Sequence, residues 1–574
     1  MTTAPSVNRV VYDQWRGGFR SKVKTIGANT KQYSSMNMQV YDNGNLGVRP
    51  WMKIQDDTNI TASTTLDDNC YLTPRYNSGQ AGELYLVHHD TGKVFAYDYA
   101  LGWQRKSAFE AITGNVEDDR ADYYGTRNNW TGSPAARTLV GSAQYSIMPD
   151  NDFILGGEAH QTTAGTTSTI TWTDATDDIT NFVLYRDRIW GWVNVGASTD
   201  PSNRLFYTDA ASYTVSAAGN YLDIGAASDD YYILGAWPLS DSLLICMSDG
   251  GWWVFTGTPD AGSLRFIGNY PSPSHGAAGA VLGNIVYFLA PNGRQVCMAT
   301  PSGVETNALR DIRPWTFDRN HNTFIEYRGI SSHREQAIML PVRAGNSKYW
   351  DTIELVNGDW GVHSYGRADF TTNTANNMGY LRDVAPTVRD TVFAYLVEDP
   401  DETKEAQLFT RDIVLNRPSH SSDTYSDYIE TTATAPSTIT SKGAVRLASY
   451  APEGEECRVR QVTVDFHYWK TDVATYYAPA DMECRVRHGD IVTQESIDTF
   501  DNSVLPSLVD KGFDVDWQQG LSYRWIFRFP LEDADFAMTS QVELDNILSV
   551  AIDRIIVDYE VRPDNHWGGQ MAGT

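Results

Sequence analysis

Residues 231–257 read YYILGAWPLSDSLLICMSDGGWWVFTG, and this stretch decides the fold. An apolar run at 243–247 meets the polar turn Ser248-Asp249-Gly250-Gly251, and an aromatic run follows at 252–255. The Asp-Gly step can take the positive φ angles that join two twisted strands, so the stretch predicts a β-hairpin. Upstream, residues 203–225 read NRLFYTDAASYTVSAAGNYLDIG and contain the second strand of the preceding copy of this unit.

The unit of an apolar strand, a polar turn and a second β-rich strand recurs six times between residues 84 and 410. An acidic or amide residue precedes each first strand, and the last five of these residues are 54, 43, 51 and 55 positions apart. Repeats of roughly 40–50 residues are typical of a β-propeller, in which radially stacked sheets bury the apolar faces of single hairpins. The predicted pairs are 84–87 with 93–97, 189–193 with 204–208, 243–247 with 252–256, 285–289 with 295–300, 337–340 with 350–355, and 392–397 with 407–410. The preceding residues are Glu83, Asp187, Asp241, Asn284, Glu335 and Asp390.

The chain is therefore predicted to be all-β, with a β-propeller at 61–415. Six blades are preferred and seven are the alternative, because the 104 residues between Glu83 and Asp187 span about two periods. We favour an insertion near 104–178, since the Thr-rich run at 161–173 resembles a loop. Residues 1–60 are predicted to form an N-terminal arm that contributes strands and completes the last blade, which would remove open sheet edges. Buried positions are expected at Leu243, Ile245, Val286, Phe288, Val392 and Ala394.

The pattern of the sequence changes after residue 415. Residues 416–444 are rich in Ser, Thr and Pro, which predicts a linker. Strict alternation at 457–464, 482–486, 523–529 and 552–561 predicts half-buried antiparallel strands. We therefore expect a C-terminal β-sandwich at 445–562, followed by a tail at 563–574.

The 574-residue chain carries 72 acidic and 45 basic residues, a net charge of −27. This charge argues against a general surface for nucleic acid or anionic membranes, because phosphates are repelled. The five cysteines lie far apart without a Cys-x-x-Cys pair, which predicts buried thiols in a protein made in a reducing compartment. No stretch has the character of a signal peptide or a bilayer span, so no membrane insertion is expected.

No motif predicts a catalytic centre, a cofactor or a metal site. Five Asp-Asp pairs lack the spacing around a glycine that a calcium loop requires. The turn at 248–252 loosely resembles the Asp-box of sialidase-like propellers, whose aspartate is structural, and no facing carboxylate pair for glycoside hydrolysis can be identified. Two Cys-Arg-Val-Arg segments place Arg458, Arg460, Arg485 and Arg487 on one side of their strands. These arginines form either a basic contact patch or, as we favour, outward residues paired with acids. We predict that the protein is not an enzyme.

The order Asn203-Arg-Leu-Phe-Tyr-Thr-Asp209, then Asn220-Tyr-Leu-Asp-Ile-Gly225, then an apolar hairpin resembles a pattern of tailed-bacteriophage virion proteins. The segment MNMQVYDNGNLGVRPW at 36–51 is similar to the step with Arg-Pro that introduces the propeller in that family. The resemblance covers residues 36–415. It points to the nozzle or hub proteins of short-tailed phages and to minor tail proteins, and it transfers no functional residue.

This resemblance implies a structural protein of the virion tail, synthesised in the host cytoplasm, that contacts other tail proteins or portal and adaptor proteins. It also implies a homo-oligomeric ring, preferably a hexamer, through which DNA passes transiently without specific binding. The acidic composition is consistent with such a channel, because each fixed cation would add phosphate binding. The alternative is a carbohydrate-binding or glycan-hydrolysing propeller protein.

Overall fold

The regular structure of the chain is almost entirely β. The computed structural model describes residues 6–16, 33–54, 70–75, 83–88, 93–98, 102–105, 124–128, 137–142, 145–147, 153–155, 160–163, 166–169, 181–186, 188–192, 201–210, 219–225, 231–273, 276–290, 295–310, 324–326, 329–332, 335–344, 349–365, 380–386, 392–398, 407–413, 427–429, 437–439, 442–448, 456–469, 482–488, 494–507, 511, 520–529, 537, 539–548 and 550–562. Within these ranges the helical elements are two short 3-10 helices, Gly276–Ala278 and Asn502–Val504.

The strands fall into three groups along the chain. Those of the N-terminal arm are β1 (Ser6–Tyr12), β2 (Tyr33–Met36), β3 (Met38–Val40), β4 (Leu46–Val48) and β5 (Lys53–Ile54). Those of the predicted propeller are β6 (Cys70–Arg75), β7 (Glu83–His88), β8 (Lys93–Asp98), β9 (Gly102–Arg105), β10 (Tyr124–Asn128), β11 (Arg137–Ser142), β12 (Tyr145–Ile147), β13 (Phe153–Leu155), β14 (His160–Thr163), β15 (Thr166–Thr169), β16 (Asn181–Tyr185), β17 (Arg188–Trp192), β18 (Arg204–Tyr207), β19 (Tyr221–Asp223), β20 (Ile233–Pro238), β21 (Ser242–Met247), β22 (Gly251–Thr256), β23 (Ser263–Asn269), β24 (Ala280–Leu282), β25 (Ile285–Leu289), β26 (Gln295–Thr300), β27 (Gly303–Arg310), β28 (Phe324–Glu326), β29 (Ile330–Ser332), β30 (Ala337–Ala344), β31 (Trp350–Val356), β32 (Asp359–Tyr365), β33 (Tyr380–Pro386), β34 (Val392–Glu398) and β35 (Gln407–Asp412). The remainder are β36 (Asp427–Ile429), β37 (Ser437–Ile439), β38 (Gly443–Leu447), β39 (Cys457–Tyr468), β40 (Glu483–His488), β41 (Gln494–Thr499), β42 (Leu521–Arg528), β43 (Ser540–Ile547) and β44 (Val550–Val561).

Seven antiparallel sheets occupy the described residues between 53 and 412, and we number them in chain order. They are β6–β9, β10–β15, β16–β19, β20–β23, β24–β27, β28–β32, and β33–β35 together with β5. Each of the six strand pairs predicted from the sequence is present as an antiparallel pair within one sheet. The hairpin unit that decides the fold is therefore confirmed at every predicted position.

The seven sheets contact one another in a closed order. Strand β6 contacts β11, β11 contacts β16, and β16 contacts β20, while β24 contacts β29, β29 contacts β33, and β33 contacts β6. The fourth and fifth sheets are joined by stacked rings, because Trp252 lies 5.7 Å from Trp237 and 5.5 Å from Phe288. A closed order of radially stacked antiparallel sheets is the arrangement of a β-propeller.

The second sheet corrects the sequence prediction. Its six strands lie between residues 124 and 169, where the sequence predicts an insertion, and the sheet lies between the first and third sheets. Strand β15 and all but the first residue of β14 fall within the Thr-rich run that resembles a loop. Threonine is β-branched and suits a strand as well as a polar turn, so composition did not distinguish the two. The preferred count of six units omits this sheet, and the described residues of the ring contain seven sheets, the number that the sequence leaves as the alternative.

The apolar positions expected from the hairpin pattern lie in the cores between sheets. Leu243, Ile245, Val286, Phe288 and Ala394 are each fully buried, whereas the side chain of Val392 lies outside the described residues. Four of the five cysteines are likewise buried and form no disulfide, namely Cys246, Cys297, Cys457 and Cys484. The side chain of Cys70 is not among those described.

The N-terminal arm is divided among three sheets. Strand β5 pairs with β35 and so becomes the outer strand of the seventh sheet, with Ile54 opposite Phe409. Strands β1 and β4 pair with β44, and β2 pairs with β38, more than 400 residues further along the chain. The arm therefore connects the ring of sheets to the C-terminal part of the chain.

Two sheets form that C-terminal part, which we call the two-sheet module. One has the strand order β3-β4-β44-β39-β42 with β1 also on β44, and the other has the order β2-β38-β43-β40-β41. Both contribute to one hydrophobic core, which includes Val462, Val557, Val486 and Leu544. The same core continues to the sixth sheet through residues such as Ile353, so the module packs against the ring.

The segment predicted as a linker contains regular structure at its described residues. Strands β36 and β37 form a two-stranded antiparallel sheet within 416–444, and β38 begins at Gly443. The predicted tail at 563–574 lies outside the described residues. None of the helical segments in the described ranges has the length and apolar character that crossing a bilayer would require.

Candidate functional site: the buried junction of the N-terminal arm

The run that resembles phage virion proteins is stabilised by its own polar side chains. Asn203 donates from Nδ2 to the carbonyl oxygen of Ile224 at 3.0 Å, which ties β18 to the end of β19. Arg204 forms an ion pair with Asp223, its cross-strand neighbour, at 2.7 Å, and its guanidinium lies 3.7 Å from the centroid of the Tyr221 ring. These residues hold a three-residue outer strand in place, so the described side chains of this run have a structural role.

The Asp-Gly turn of the deciding stretch is also structural. Asp249 accepts a hydrogen bond from the backbone N–H of Gly251 at 2.8 Å. Gly250 has φ of 85°, and a Cβ there would lie 2.7 Å from the carbonyl oxygen of Tyr270. Only glycine satisfies both conditions without strain. The resemblance to an Asp-box therefore corresponds to a turn that fixes a hairpin.

The arginines of the two Cys-Arg-Val-Arg segments are paired with acids, as we favoured. Arg458 lies 3.0 Å from Glu560, Arg485 lies 2.8 Å from Glu483, and Arg487 lies 3.6 Å from Glu543. The two segments belong to different sheets of the module, β39 and β40, so their arginines do not form one shared patch.

Other groups that the sequence singled out lie outside the described side chains. These are the five Asp-Asp pairs at 56/57, 67/68, 118/119, 177/178 and 229/230. In the part of the chain that the structure describes, no group of three or more His, Cys, Asp or Glu side chains is arranged to hold a metal ion.

A cluster of buried charged groups lies where the arm meets the sixth and seventh sheets, and we call it the junction network. Its centre is the ion pair of Arg411, on β35, with Glu354, on β31, at 2.5 Å. Both side chains are at most 1% exposed. The second carboxylate oxygen of Glu354 accepts a hydrogen bond from Thr352 at 2.8 Å, and Arg411 donates from Nε to the hydroxyl of Tyr395 at 3.1 Å.

Arg49 brings the arm into the junction network. It belongs to the segment 36–51 that carries the resemblance, and it is fully buried. Its guanidinium lies 3.9 Å from the centroid of the Tyr365 ring and donates to the carbonyl oxygens of Pro50 and Ser364 at 3.0 and 3.3 Å. Such a desolvated cation over an aromatic face contributes on the order of 2 kcal/mol.

Asn37 joins the arm, the ring and the two-sheet module. Its Oδ1 accepts from the backbone N–H of Ser364 at 2.7 Å, its backbone N–H donates to Val362, and its Nδ2 donates to the carbonyl oxygen of Lys442 at 2.9 Å. Its φ of 56° lies in the left-handed region, which asparagine tolerates better than most residues. One amide side chain thus fixes the position of three parts of the fold.

Burial and neighbouring charges shift the titration of the junction network. Burial lowers the pKa of His363 well below its usual value, and the cations of Arg411 and Arg49 lower it further. Burial raises the pKa of Tyr395 well above its usual value. Burial by itself disfavours the charged form of Arg411, but the adjacent Glu354 outweighs it and holds the pKa of this guanidinium well above its usual value.

Perturbed titration of this kind often marks catalytic sites, and structural ion-pair networks produce it as well. Here Glu354, His363 and Arg411 are at most 2% exposed, so a substrate has no access to them in this state. The geometry of these three groups is that of a structural ion-pair network, and Arg49 and Asn37 join the arm to the strands that carry it. Sequence reasoning missed the junction network because its members come from separate strands, although charged residues within apolar strands such as β31 and β35 were a usable signal.

The pKa of His363 predicts a loss of stability in mild acid. The unfolded chain binds a proton on this histidine near pH 6.5, whereas the folded chain does so only at lower pH, so the free energy of unfolding falls as the pH drops below about 6.5. The limiting slope for one proton is about 1.4 kcal/mol per pH unit. Urea denaturation between about pH 5 and 7 measures the free energy of unfolding of the wild type and of His363→Gln. We expect the substitution to remove the part of the pH dependence that comes from His363. Identical slopes for the two chains would contradict the assignment.

No protein-family model and no curated protein matches the chain. Similar solved structures include the computationally designed Ika8 protein, at 10% identity over 61% of this chain and 98% of that chain, with a TM-score of 0.34. YCF48 bound to a D1 peptide is 12% identical over 64% of this chain and 96% of that chain, with a TM-score of 0.33. The β-propeller domain of Cps50 (Swd1) from Myceliophteria thermophila is 9% identical over 61% and 97%, with a TM-score of 0.34. Scores at this level add nothing to the description of the fold, which rests on the order of the sheets.

Proposed function

We propose that the protein is a structural component of a bacteriophage tail, a nozzle-like or hub-like ring through which the genome passes. The observation that carries the proposal is the junction network, in which buried charged side chains fasten an arm across the ring and the two-sheet module. Fixed connections of this kind suit a rigid structural part, whereas an enzyme would present its perturbed groups to a cleft. The sequence resemblance over residues 36–415 supports the same function.

The proposed ring would contact other tail proteins and portal or adaptor proteins, and DNA would pass through it without specific binding. The net charge of −27 supports this role, because a channel for a polyanion should offer few fixed cations. Six copies are expected by analogy with the resembling proteins. The covered sheet edges of the chain, with β5 on the seventh sheet and β1 and β4 on β44, also suit a rigid part of a larger assembly.

Imaging of the assembled particle along the tail axis tests the proposal. We expect several copies of the chain around one central channel, with acidic side chains more frequent than Lys and Arg in its wall. A single central copy, copies placed as peripheral fibres, or a channel lined mainly by Lys and Arg would overturn it.

A second candidate, a glycan-binding or glycan-hydrolysing propeller, is favoured by one exposed aromatic pair. Phe266 on the outer strand of the fourth sheet is 46% exposed, and its ring lies 5.0 Å from that of Trp253. Exposed aromatic rings can stack on sugars. Screening with sialyl, galactosyl and polysaccharide substrates distinguishes the candidates, because the structural role predicts no turnover and no binding that Phe266→Ala abolishes.

A further inference from the structure

The outer side of the sheet β1-β44-β39-β42 carries a ladder of ion pairs set by strand register. Asp465 on β39 lies directly between Arg524 on β42 and Arg554 on β44, and it forms ion pairs with both. Glu560 on β44 is opposite Arg458. Each carboxylate of the ladder is therefore placed by the sheet itself among cationic neighbours.

Arginines outnumber carboxylates in this ladder. Glu560 is shared by Arg458 at 3.0 Å and Arg460 at 3.6 Å. Further along β44, Asp558 accepts two hydrogen bonds from Arg9 at 2.7 and 3.1 Å. We call the five arginines of the ladder the arginine face, namely Arg9, Arg458, Arg460, Arg524 and Arg554. They form ion pairs with three carboxylates, namely Asp465, Asp558 and Glu560. Two balanced pairs flank the face, namely His467 with Asp553 at 3.1 Å and Arg562 with Glu456 at 2.6 Å, and their acids are 32% and 37% exposed.

The solvent meets the arginines rather than the acids of this face. The side chains of Arg9, Arg524 and Arg554 are 63%, 55% and 45% exposed. The carboxylates beneath them are covered, with 13% of Asp465, 7% of Asp558 and 3% of Glu560 exposed. The surface that a partner would touch is therefore cationic, although the chain as a whole is strongly acidic.

Each exposed guanidinium still has hydrogen-bond donors to offer. Asp465 occupies Nε and Nη2 of Arg524, and Arg554 reaches the same carboxylate through Nε. A guanidinium has five N–H donors in a planar fork, so both arginines can receive a second carboxylate side by side.

We propose that the arginine face binds the acidic surface of a second copy of this chain. The face holds five of the 45 basic and three of the 72 acidic residues, which leaves 69 acids against 40 bases elsewhere on each copy. Two such chains repel each other unless a locally cationic surface meets an acidic one. A contact between two different surfaces is heterologous and can close a ring, so this inference deepens the proposed function and rests on it for the ring.

The matched comparison uses the other sheet of the module. There the outward arginines Arg446, Arg485 and Arg487 are each at most 30% exposed and face as many acids, namely Glu483, Glu543 and Asp545. The double variant Arg485→Gln with Arg487→Gln loses two positive charges, as does the double variant Arg524→Gln with Arg554→Gln. The Arg485/Arg487 variant loses them from a surface with equal numbers of arginines and acids. Thermal unfolding of both variants shows whether each one folds.

Sedimentation velocity of the full chain over a range of concentrations measures the contact. In 0.1 M NaCl we expect the wild type and the Arg485/Arg487 variant to self-associate, and the Arg524/Arg554 variant to do so at least about tenfold more weakly. In 1 M NaCl the wild-type association should also weaken, because the Debye length falls from about 10 Å to about 3 Å. Equal weakening of both variants, or a wild type that stays monomeric at every concentration, would overturn the inference. So would binding of duplex DNA that only the Arg524/Arg554 variant loses.

The result separates this inference from the proposed function. If the particle shows the ring and the Arg524/Arg554 variant associates like the wild type, the contact is wrong and the ring stands. If the wild type associates through the arginine face while the particle lacks the ring, the proposed function is wrong and the contact stands.

Discussion

Replacing Glu354 by Gln is expected to lower the free energy of unfolding by about 3–5 kcal/mol, the usual effect of removing one partner of a buried ion pair. The change leaves the guanidinium of Arg411 fully buried without its carboxylate. Deprotonation offers Arg411 no relief, because an arginine side chain stays charged at any pH at which proteins fold. The free energy of unfolding should therefore fall by the full cost of burying an unpaired cation.

A double-mutant cycle tests the cause of this effect. Arg411→Met in the Glu354→Gln background removes the stranded charge, so the double variant should be clearly more stable than the sum of the single effects predicts. Urea denaturation followed by tryptophan fluorescence measures each chain. Arg524→Gln is the exposed control, and it should change the free energy of unfolding far less than Glu354→Gln does, because ion pairs at the surface contribute little. Additive effects in the cycle would show that Glu354 and Arg411 do not depend on each other.

The second large effect is expected at the core of the fourth sheet. Ile245→Asp places a carboxylate at a fully buried position on the central strand β21, in the core that also contains Trp190 and Phe255. An uncompensated charge at such a position should lower the free energy of unfolding by roughly 4 kcal/mol or more. We expect a large drop in the melting temperature and reduced recovery of folded protein.

The matched control makes the same chemical change at the surface. Ile497 on β41 is 52% exposed, so Ile497→Asp should change the free energy of unfolding by no more than about 0.5 kcal/mol. Ile245→Val, which removes one buried methylene, should cost about 0.5–1.5 kcal/mol. An Ile245→Asp chain that melts like the wild type would mean that the strand does not face this core.

If both large effects are observed, they report on two different kinds of contact in the fold. Ile245 stabilises one pair of neighbouring sheets, whereas Glu354 and Arg411 hold together the sheets on which the arm is fastened. The proposed role in an assembly would depend on the second kind of contact, because the arm joins the two-sheet module to the ring. In the contact that we propose, the arginine face of the same module would bind the next copy.

The sequence by itself determined the local units. The turn at Asp249 and Gly250, the six hairpins and the alternation of β39, β40 and β44 all follow from neighbouring residues, since turn chemistry and the period of two act over a few positions. The buried positions of Ile245 and Phe288 and the paired state of Arg458 and Arg485 follow from the same patterns. These features required no knowledge of which strands meet.

Only the tertiary structure decided what depends on distant partners. The second sheet was not predicted because threonine occurs in strands as well as in turns. The division of the arm among three sheets has no local sequence signature. Arg9 meets Asp558, Arg49 meets Tyr365, and Glu354 meets Arg411 only after the strands are paired and stacked. The physical reason is that burial and charge pairing between remote segments depend on the register and packing of whole sheets, which no short stretch of sequence specifies.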